Sequence, residues 1–237
     1  VQIIPAVDVL DGAVVRLERG RFDRVTVYGD DPASVVRGFG EEGAAIVHVV
    51  DLAGARSGVP SPGLWEMVSI AGTPVEVGGA IRDAATAAAA ISAGVTRVVV
   101  GSAAVWDPGE LAAIVASVGG ERVVVAIDVA DGMAKGSGWE DAGRPALDVA
   151  SDAVAAGAGR LMVTAVERDG MMTGPDTNLL DEVARAVDVP VIASGGVGSL
   201  DHIRTLAATG VEAAIVGKAF YEGLFTAGEA IAAAQEL

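Results

Sequence analysis

Eight short runs of β-branched and aliphatic residues punctuate this chain, and between them lie Ala- and Leu-rich stretches with helical spacing. The runs are Ile3–Val7, Ile46–Leu52, Val75–Val77, Val98–Val100, Val123–Ile127, Leu161–Thr164, Val191–Ala193 and Ala214–Val216. They are continuously apolar rather than alternating, which is how strands covered on both faces read. Helical spacing appears at Pro32–Glu42, Asp83–Ala93, Pro108–Val118, Ala146–Ala156, Asn178–Val187, Ser199–Ala208 and Thr226–Glu236. Asp31, Asp107 before Pro108, and Ser199 are good N-caps for three of them. Strand and helix alternate in units of about 30 residues over a chain of 237. Alternation of this kind predicts a parallel sheet, and eight repeats predict an α/β fold closed into a (β/α)8 barrel. An open doubly wound sheet would carry G-x-G-x-x-G after its first strand; the chain has VLDGAVVRLERG there.

Composition narrows the function classes. Asp and Glu number 32 against 16 Lys and Arg, a net charge of −16, so the basic footprint that a nucleic-acid partner demands is missing. With no cysteine, a disulfide scaffold, a thiol nucleophile and a Cys-ligated metal are excluded. Two histidines, His48 and His202, cannot build a three-His zinc site. The apolar runs fall far short of the roughly twenty residues of a bilayer span. VQIIPAVDVLDG lacks the basic start and long apolar stretch of a signal peptide. The expectation is a cytoplasmic single domain over 1–237, free of linkers, binding neither nucleic acid nor membrane.

An internal repeat divides the chain. AVDVLDG at 6–12 matches AIDVADG at 126–132, an offset of 120. PVEVGGAIRD at 74–83 matches PVIASGGVGS at 190–199, and AGVTRVVVGSA at 93–103 matches TGVEAAIVGKA at 209–219, both offset by 116. Two half-barrels, approximately 1–120 and 121–237, read as copies of one four-unit ancestor.

In such a barrel the chemistry sits at the carboxyl ends of the strands. Asp8 and Asp128 end the first and fifth strands at equivalent positions. Two carboxylates across a barrel mouth suit general acid–base work, although an Asp at a strand end also serves as an ordinary cap. Asp51, Thr164 and Asp169 lie at or near the ends of the second and sixth strands; Asp169-Gly170 is equally ordinary turn chemistry. Glycine-rich segments follow four strands: Gly78-Gly79, Gly101-Ser102, Ser194-Gly195-Gly196 and Gly217-Lys218. Glycines there let backbone N–H groups converge on an anion. The loops after strands seven and eight are the usual phosphate site of this fold, and the repeat places a second one after strands three and four. The implied ligand is a small molecule with a phosphate at each end. Arg16, Arg19, Arg82 and Lys218 are the cations near enough in sequence to help hold it. His48, inside the second strand, reads as structural, and His202, at a helix start, as inert. Trp139, in the polar loop KGSGWEDAG, is a candidate for stacking on a planar ring of the ligand.

A resemblance runs along the whole chain. IIPAVDVLDGAVVRLERGRFDRVTVYGDDP, HVVDL at 48–52, GGAIRD at 78–83, VVGSAAV at 99–105, AIDV at 126–129, VERDGMMTGPD at 166–176, IASGGV at 192–197 and AIVGKAFYEG at 214–223 together resemble the histidine-biosynthesis isomerase family, HisA. The resemblance implies a (β/α)8 barrel with twofold internal symmetry and conversion of the aminoaldose ProFAR to the aminoketose PRFAR. That reaction is an Amadori rearrangement needing neither cofactor nor metal. The resemblance further implies that Asp8 is the base at C2, that Asp128 or Asp169 is the proton donor, and that Thr164 hydrogen-bonds the reacting sugar. A monomer is expected.

Departures from the family pattern are Ala80 in GGAIR where GGGIR is common, Asp176 where GPN is common, and Ala165 where many members are acidic. The cyclase subunit of imidazole glycerol phosphate synthase usually has a cysteine before its first aspartate and a lysine in place of Arg16, so it is disfavoured. The actinobacterial bifunctional isomerases, PriA, which also accept phosphoribosyl anthranilate, typically read RGRGW where this chain has Lys135-Gly136-Ser137-Gly138-Trp139. Ser137 in place of that arginine favours the monofunctional reading.

Overall fold

The structure is a computed structural model that describes residues 1–18, 20–136 and 142–236. Arg19, Ser137 and Trp139 therefore lie outside the described residues. The first half runs β1 (Gln2–Leu10), β2 (Ala13–Glu18), β3 (Arg21–Gly29), α1 (Pro32–Glu41), β4 (Val47–Asp51), α2 (Leu52–Ser57), α3 (Leu64–Ser69), β5 (Val75–Gly78), α4 (Ala84–Ser92), β6 (Arg97–Val100), α5 (Ser102–Trp106) and α6 (Pro108–Val118). The second runs β7 (Val123–Ala130), β8 (Met133–Lys135), β9 (Arg144–Pro145), α7 (Ala146–Ala155), β10 (Arg160–Ala165), α8 (Thr177–Ala186), β11 (Val191–Ser194), α9 (Leu200–Ala207), β12 (Ala213–Val216), α10 (Lys218–Tyr221) and α11 (Ala227–Ala234). Parallel pairing in the order β10-β11-β12-β1-β4-β5-β6-β7 closes on itself through β10 and β7. The eight expected strands are thus the eight staves of a (β/α)8 barrel. Among the described residues no helix is long and apolar enough to cross a membrane.

The strands are apolar on both faces because each face packs against something. Ile3, Val7 and Val9 of β1 join the large core between the staves and the helices. Ile4 and Ala6 join a separate cluster with Ile46, Val99, Val124, Ala126, Met162, Ile192, Ala213 and Ile215. Every stave except β4 and β5 contributes one or two residues to that second cluster, and Ile46 enters it from just before β4, so it is the filled lumen. Side chains of a strand alternate between faces, so the lumen row continues past the cluster toward the carboxyl ends. On β1 it arrives at Asp8, on β7 at Asp128, on β10 at Thr164, on β11 at Ser194 and on β5 at Gly78.

Caps hold the helices where the sequence placed them. Asp31, Asp107 and Ser199 accept from the backbone N–H of Ser34, Glu110 and His202 respectively. The halves repeat in geometry. β1 folds back onto β2 with Asp8 opposite Val15, and β7 onto β8 with Asp128 opposite Lys135. The turns between them, Asp11-Gly12 (φ 51° and 84°) and Asp131-Gly132 (φ 51° and 74°), have the two consecutive positive φ angles of a type I′ hairpin.

Candidate active site

Asp8 is anchored from within its own hairpin. Arg16 on β2 reaches back so that its Nη1 lies 3.0 Å from Asp8 Oδ2, both side chains largely buried. Burial opposes the charge on this guanidinium, but Asp8 and Asp169 beside it outweigh burial and raise its pKa further. Gly217 makes room: a Cβ there would collide with the Arg16 guanidinium. Arg16 is thereby wedged between a carboxylate and the backbone of the loop after β12.

Both tyrosines of the chain converge on the same arginine, a feature with no signal in the sequence beyond their scarcity. The Tyr221 ring centroid is 6.0 Å from the Arg16 guanidinium carbon and 4.9 Å from the Tyr28 ring. Tyr221 donates its hydroxyl proton to the Ala6 carbonyl at 3.0 Å. Burial first, then the nearby Asp8 charge, pushes this phenol up, so it stays a neutral donor.

Asp169 follows a short 3-10 turn at Val166–Arg168 that carries the chain from β10 onto the rim. Burial pushes its carboxyl above the ordinary aspartate range. The Asp8 and Asp128 charges push the same way, whereas Arg16 pulls down and loses. These couplings place the three aspartates and Arg16 within one electrostatic cluster. Asp128 stands in register with Thr164, and Thr164 with Ser194, on adjacent staves. Thr164 is buried.

The two pairs of glycine-rich segments, after β5 and β6 and after β11 and β12, are brought to opposite sides of the barrel. Gly101 (φ −102°, ψ −93°) and Gly217 (φ −119°, ψ −88°) share a backbone conformation and precede the short helices α5 and α10; no side chain caps either helix. Gly79 and Gly195 share φ values of 93° and 89°. Ala80, with φ 61°, occupies the position of Gly196, with φ 87°. Gly79 and Gly196 are also forced by packing: a Cβ would collide with the carbonyl of Asp51 in the first case and of Gly174 in the second. Lys218, Ser102 and Gly78 lie at the same strand ends, and the Lys218 ammonium donates to the Gly170 carbonyl at 3.2 Å, tying α10 to the Asp169 loop. Arg82 is exposed and donates to the Ala55 carbonyl at 3.0 Å.

His48 and Asp51 lie in and at the end of the second stave as the sequence suggested, and both have structural partners, whereas His202 is less idle than its place at a helix start implied. Asp51 is fully buried and braces its loop, accepting from Gly54 N–H, Ser61 N–H and the Ser61 hydroxyl at 2.7–2.8 Å. His202 is partly buried, and its Nδ1 accepts from Gly198 N–H at 3.1 Å, fastening the loop after β11. His48 is buried with Nδ1 3.0 Å from Glu76 Oε1, so its polar partner is a carboxylate on the next stave.

A profile of the family described as histidine biosynthesis protein matches residues 2–226. This chain belongs to that family. Full-length relatives agree. A protein of Chloroflexus aggregans is 43% identical over 99% of this chain and 98% of its own length. One of Roseiflexus castenholzii is 44% identical over 99% and 100%, and one of Sorangium cellulosum 46% identical over 98% and 99%. All three are named 1-(5-phosphoribosyl)-5-((5-phosphoribosylamino)methylideneamino)imidazole-4-carboxamide isomerase. Membership in the histidine-biosynthesis family accords with the closed barrel.

Proposed function

We propose that this protein is an aldose–ketose isomerase converting ProFAR to PRFAR by an Amadori rearrangement. The observation that carries the reading is the aspartate cluster at the barrel mouth. Asp8 is ion-paired, and Asp169 is pushed toward its protonated form by burial and by its two acidic neighbours. An ionised carboxylate and a proton-holding one in a single site are the pair that base–acid chemistry needs.

The rearrangement opens the sugar ring, moves a proton away from C2 and returns one at C1. Asp8 takes the C2 proton, and Arg16 and the Tyr221–Ala6 hydrogen bond keep its carboxylate oriented. Asp169 delivers its proton to the ring oxygen as the C1–O bond breaks. Once Asp8 has taken the C2 proton, C1 gains a proton from Asp8 and the 2-hydroxyl gives its proton to Asp169, which forms the ketone and leaves both carboxyl groups as they began. Asp128 and Thr164 hold the sugar between them. Two proton transfers at about 10²–10⁴-fold each are of the size such a reaction needs. No electrons leave the substrate, so the reaction requires no redox cofactor.

The relatives' name contains two phosphoribosyl groups, and two phosphate cradles fit such a molecule. One is formed by Gly78, Gly79, Gly101 and Ser102, and the other by Ser194, Gly195, Gly196, Gly217 and Lys218. The half-barrels, about 1–120 and 121–237, each supply one cradle. The test is turnover of ProFAR by the purified protein; a folded preparation that does not form PRFAR refutes the reading.

A further inference from the structure

We infer that Glu76, backed by Arg97, is a positioning residue for this reaction: it fixes the His48 proton on Nδ1 and leaves Nε2 as an acceptor at the floor of the site for a hydroxyl of the substrate's sugar. The inference rests on the isomerase reading above.

His48, Glu76 and Arg97 stand side by side on β4, β5 and β6, in register. Ile46, two residues before His48, and Val99, two after Arg97, belong to the lumen cluster. By strand alternation His48 and Arg97 point inward as well, and Glu76 lies between them. Two residues beyond His48, Val50 pairs with Asp8, so His48 lies one layer beneath the base. Glu76 is fully buried. Its Oε1 is 3.0 Å from His48 Nδ1, and its Oε2 is 2.6 Å from Arg97 Nη2. The Arg97 approach is an ion pair without hydrogen-bond alignment, because Oε2 and Nη2 both lack a hydrogen-bond partner. Burial alone would raise the Glu76 carboxyl, but the hydrogen bond from His48 and the Arg97 guanidinium beside it outweigh burial and hold it below its ordinary range. An ionised carboxylate only accepts, so Nδ1 is the donor. Nε2 has no partner among the described residues and is not one of the sealed, unsatisfied atoms. It therefore opens onto the lumen.

The opposite half shows that this layer does not require charge. His48 pairs with Ala6, and the repeat carries Ala6 to Ala126, which pairs with Met162. Met162 pairs with Ile192, and Ile192 with Ala213. These three counterparts of His48, Glu76 and Arg97 are all members of the apolar lumen cluster. Apolar residues of suitable volume are as stable as a buried ion pair or more so. A polar triad in one half alone thus calls for an asymmetric cause, and the chemistry, which takes a proton on one side and delivers it on the other, is asymmetric.

The experiment reads the two histidine rings of the chain by nitrogen-15 NMR on the labelled protein. His202 accepts at Nδ1, so its proton belongs on Nε2, and the two rings are expected as opposite tautomers. We expect His48 protonated on Nδ1, with its Nε2 signal moving when PRFAR is added. Glu76→Gln, whose amide can donate to Nδ1, is expected to release the tautomer. It should lower kcat about tenfold or more, the weight of one hydrogen bond, with KM within about threefold. If Glu76→Gln does not fold, the double variant Glu76→Ile with Arg97→Ala copies the filling of the other half and is expected to fold with the same loss. An Nε2–H tautomer in the parent protein overturns the inference. So does an Nε2 signal indifferent to PRFAR, or a folded variant with kcat within about threefold of the parent. Absence of ProFAR turnover in the parent refutes the isomerase reading instead, and the tautomer result is read without it.

Discussion

Asp8→Asn keeps the size of the side chain but cannot accept a proton. We expect kcat to fall at least about a hundredfold, the lower end for a lost proton transfer, with product binding retained by calorimetry. A loss within tenfold removes Asp8 as the base. Asp169 carries a prediction in pH. Its folded-state pKa is raised by burial and by Asp8 and Asp128. The native state therefore binds its proton more tightly than the unfolded chain does. The stability this group contributes is full below the unfolded carboxylate range and declines as pH rises through the folded value. Asp169→Asn abolishes the decline, so its melting temperature should match or exceed the parent's at neutral pH and lose that advantage in acid. The same raised group sets the high-pH limb of kcat if it is the donor. Asp169→Asn should then erase the limb, whereas Asp128→Asn lowers kcat and leaves the limb in place. A limb lost in Asp128→Asn alone reverses the assignment.

At the scale of elements, the loops are held by backbone contacts that the sequence could not reveal. Gly79 packs against the Asp51 carbonyl and Gly196 against the Gly174 carbonyl, both at positive φ. Val at either position is therefore expected to destabilise the fold by about 2 kcal/mol or more, as well as to raise KM. A KM effect with an unchanged melting temperature would show that the loops yield. Ala80 is the converse case. At φ 61° its methyl sustains about 1–2 kcal/mol of left-handed strain. Ala80→Gly recovers this less the roughly 0.4–1 kcal/mol that glycine adds to unfolded-state freedom, so melting should rise slightly without loss of turnover. What was legible in the sequence follows the same division. The staves were legible because both their faces are buried, and Asp8, Asp128 and Thr164 because they continue the lumen row. Strand β3 was not, since most of it is exposed and has no apolar run. Helices α2 and α3 were missed because they are six residues each and broken by a Ser-, Gly- and Pro-rich stretch. Tyr221 meets Asp8's strand, and Glu76 meets His48 and Arg97, only through contacts made by the closed barrel.

At the scale of the whole molecule, the proposed half-barrels with a phosphate cradle each favour a ligand with two matched ends, and this bears on substrate choice. Phosphoribosyl anthranilate has one phosphate and a ring carboxylate, so it leaves one cradle empty and requires a cation for the carboxylate. Arg16 is engaged with Asp8, and Arg82 is exposed and turned to the Ala55 carbonyl. Lys218 is tied to Gly170. Ser137 brings no charge, and planar recognition of a carboxylate is the task for which an arginine fork is suited. A missing charge-assisted pair together with an empty phosphate cradle amounts to about 4 kcal/mol of transition-state binding, or roughly a thousandfold in rate. We therefore expect kcat/KM for phosphoribosyl anthranilate to lie at least about a thousandfold below that for ProFAR, measured on one preparation. Ser137→Arg should narrow the gap from the anthranilate side, because it restores the charge and leaves both cradles intact. Comparable values for the two substrates in the parent protein would mean that another cation takes the carboxylate, and the enzyme would then serve both reactions.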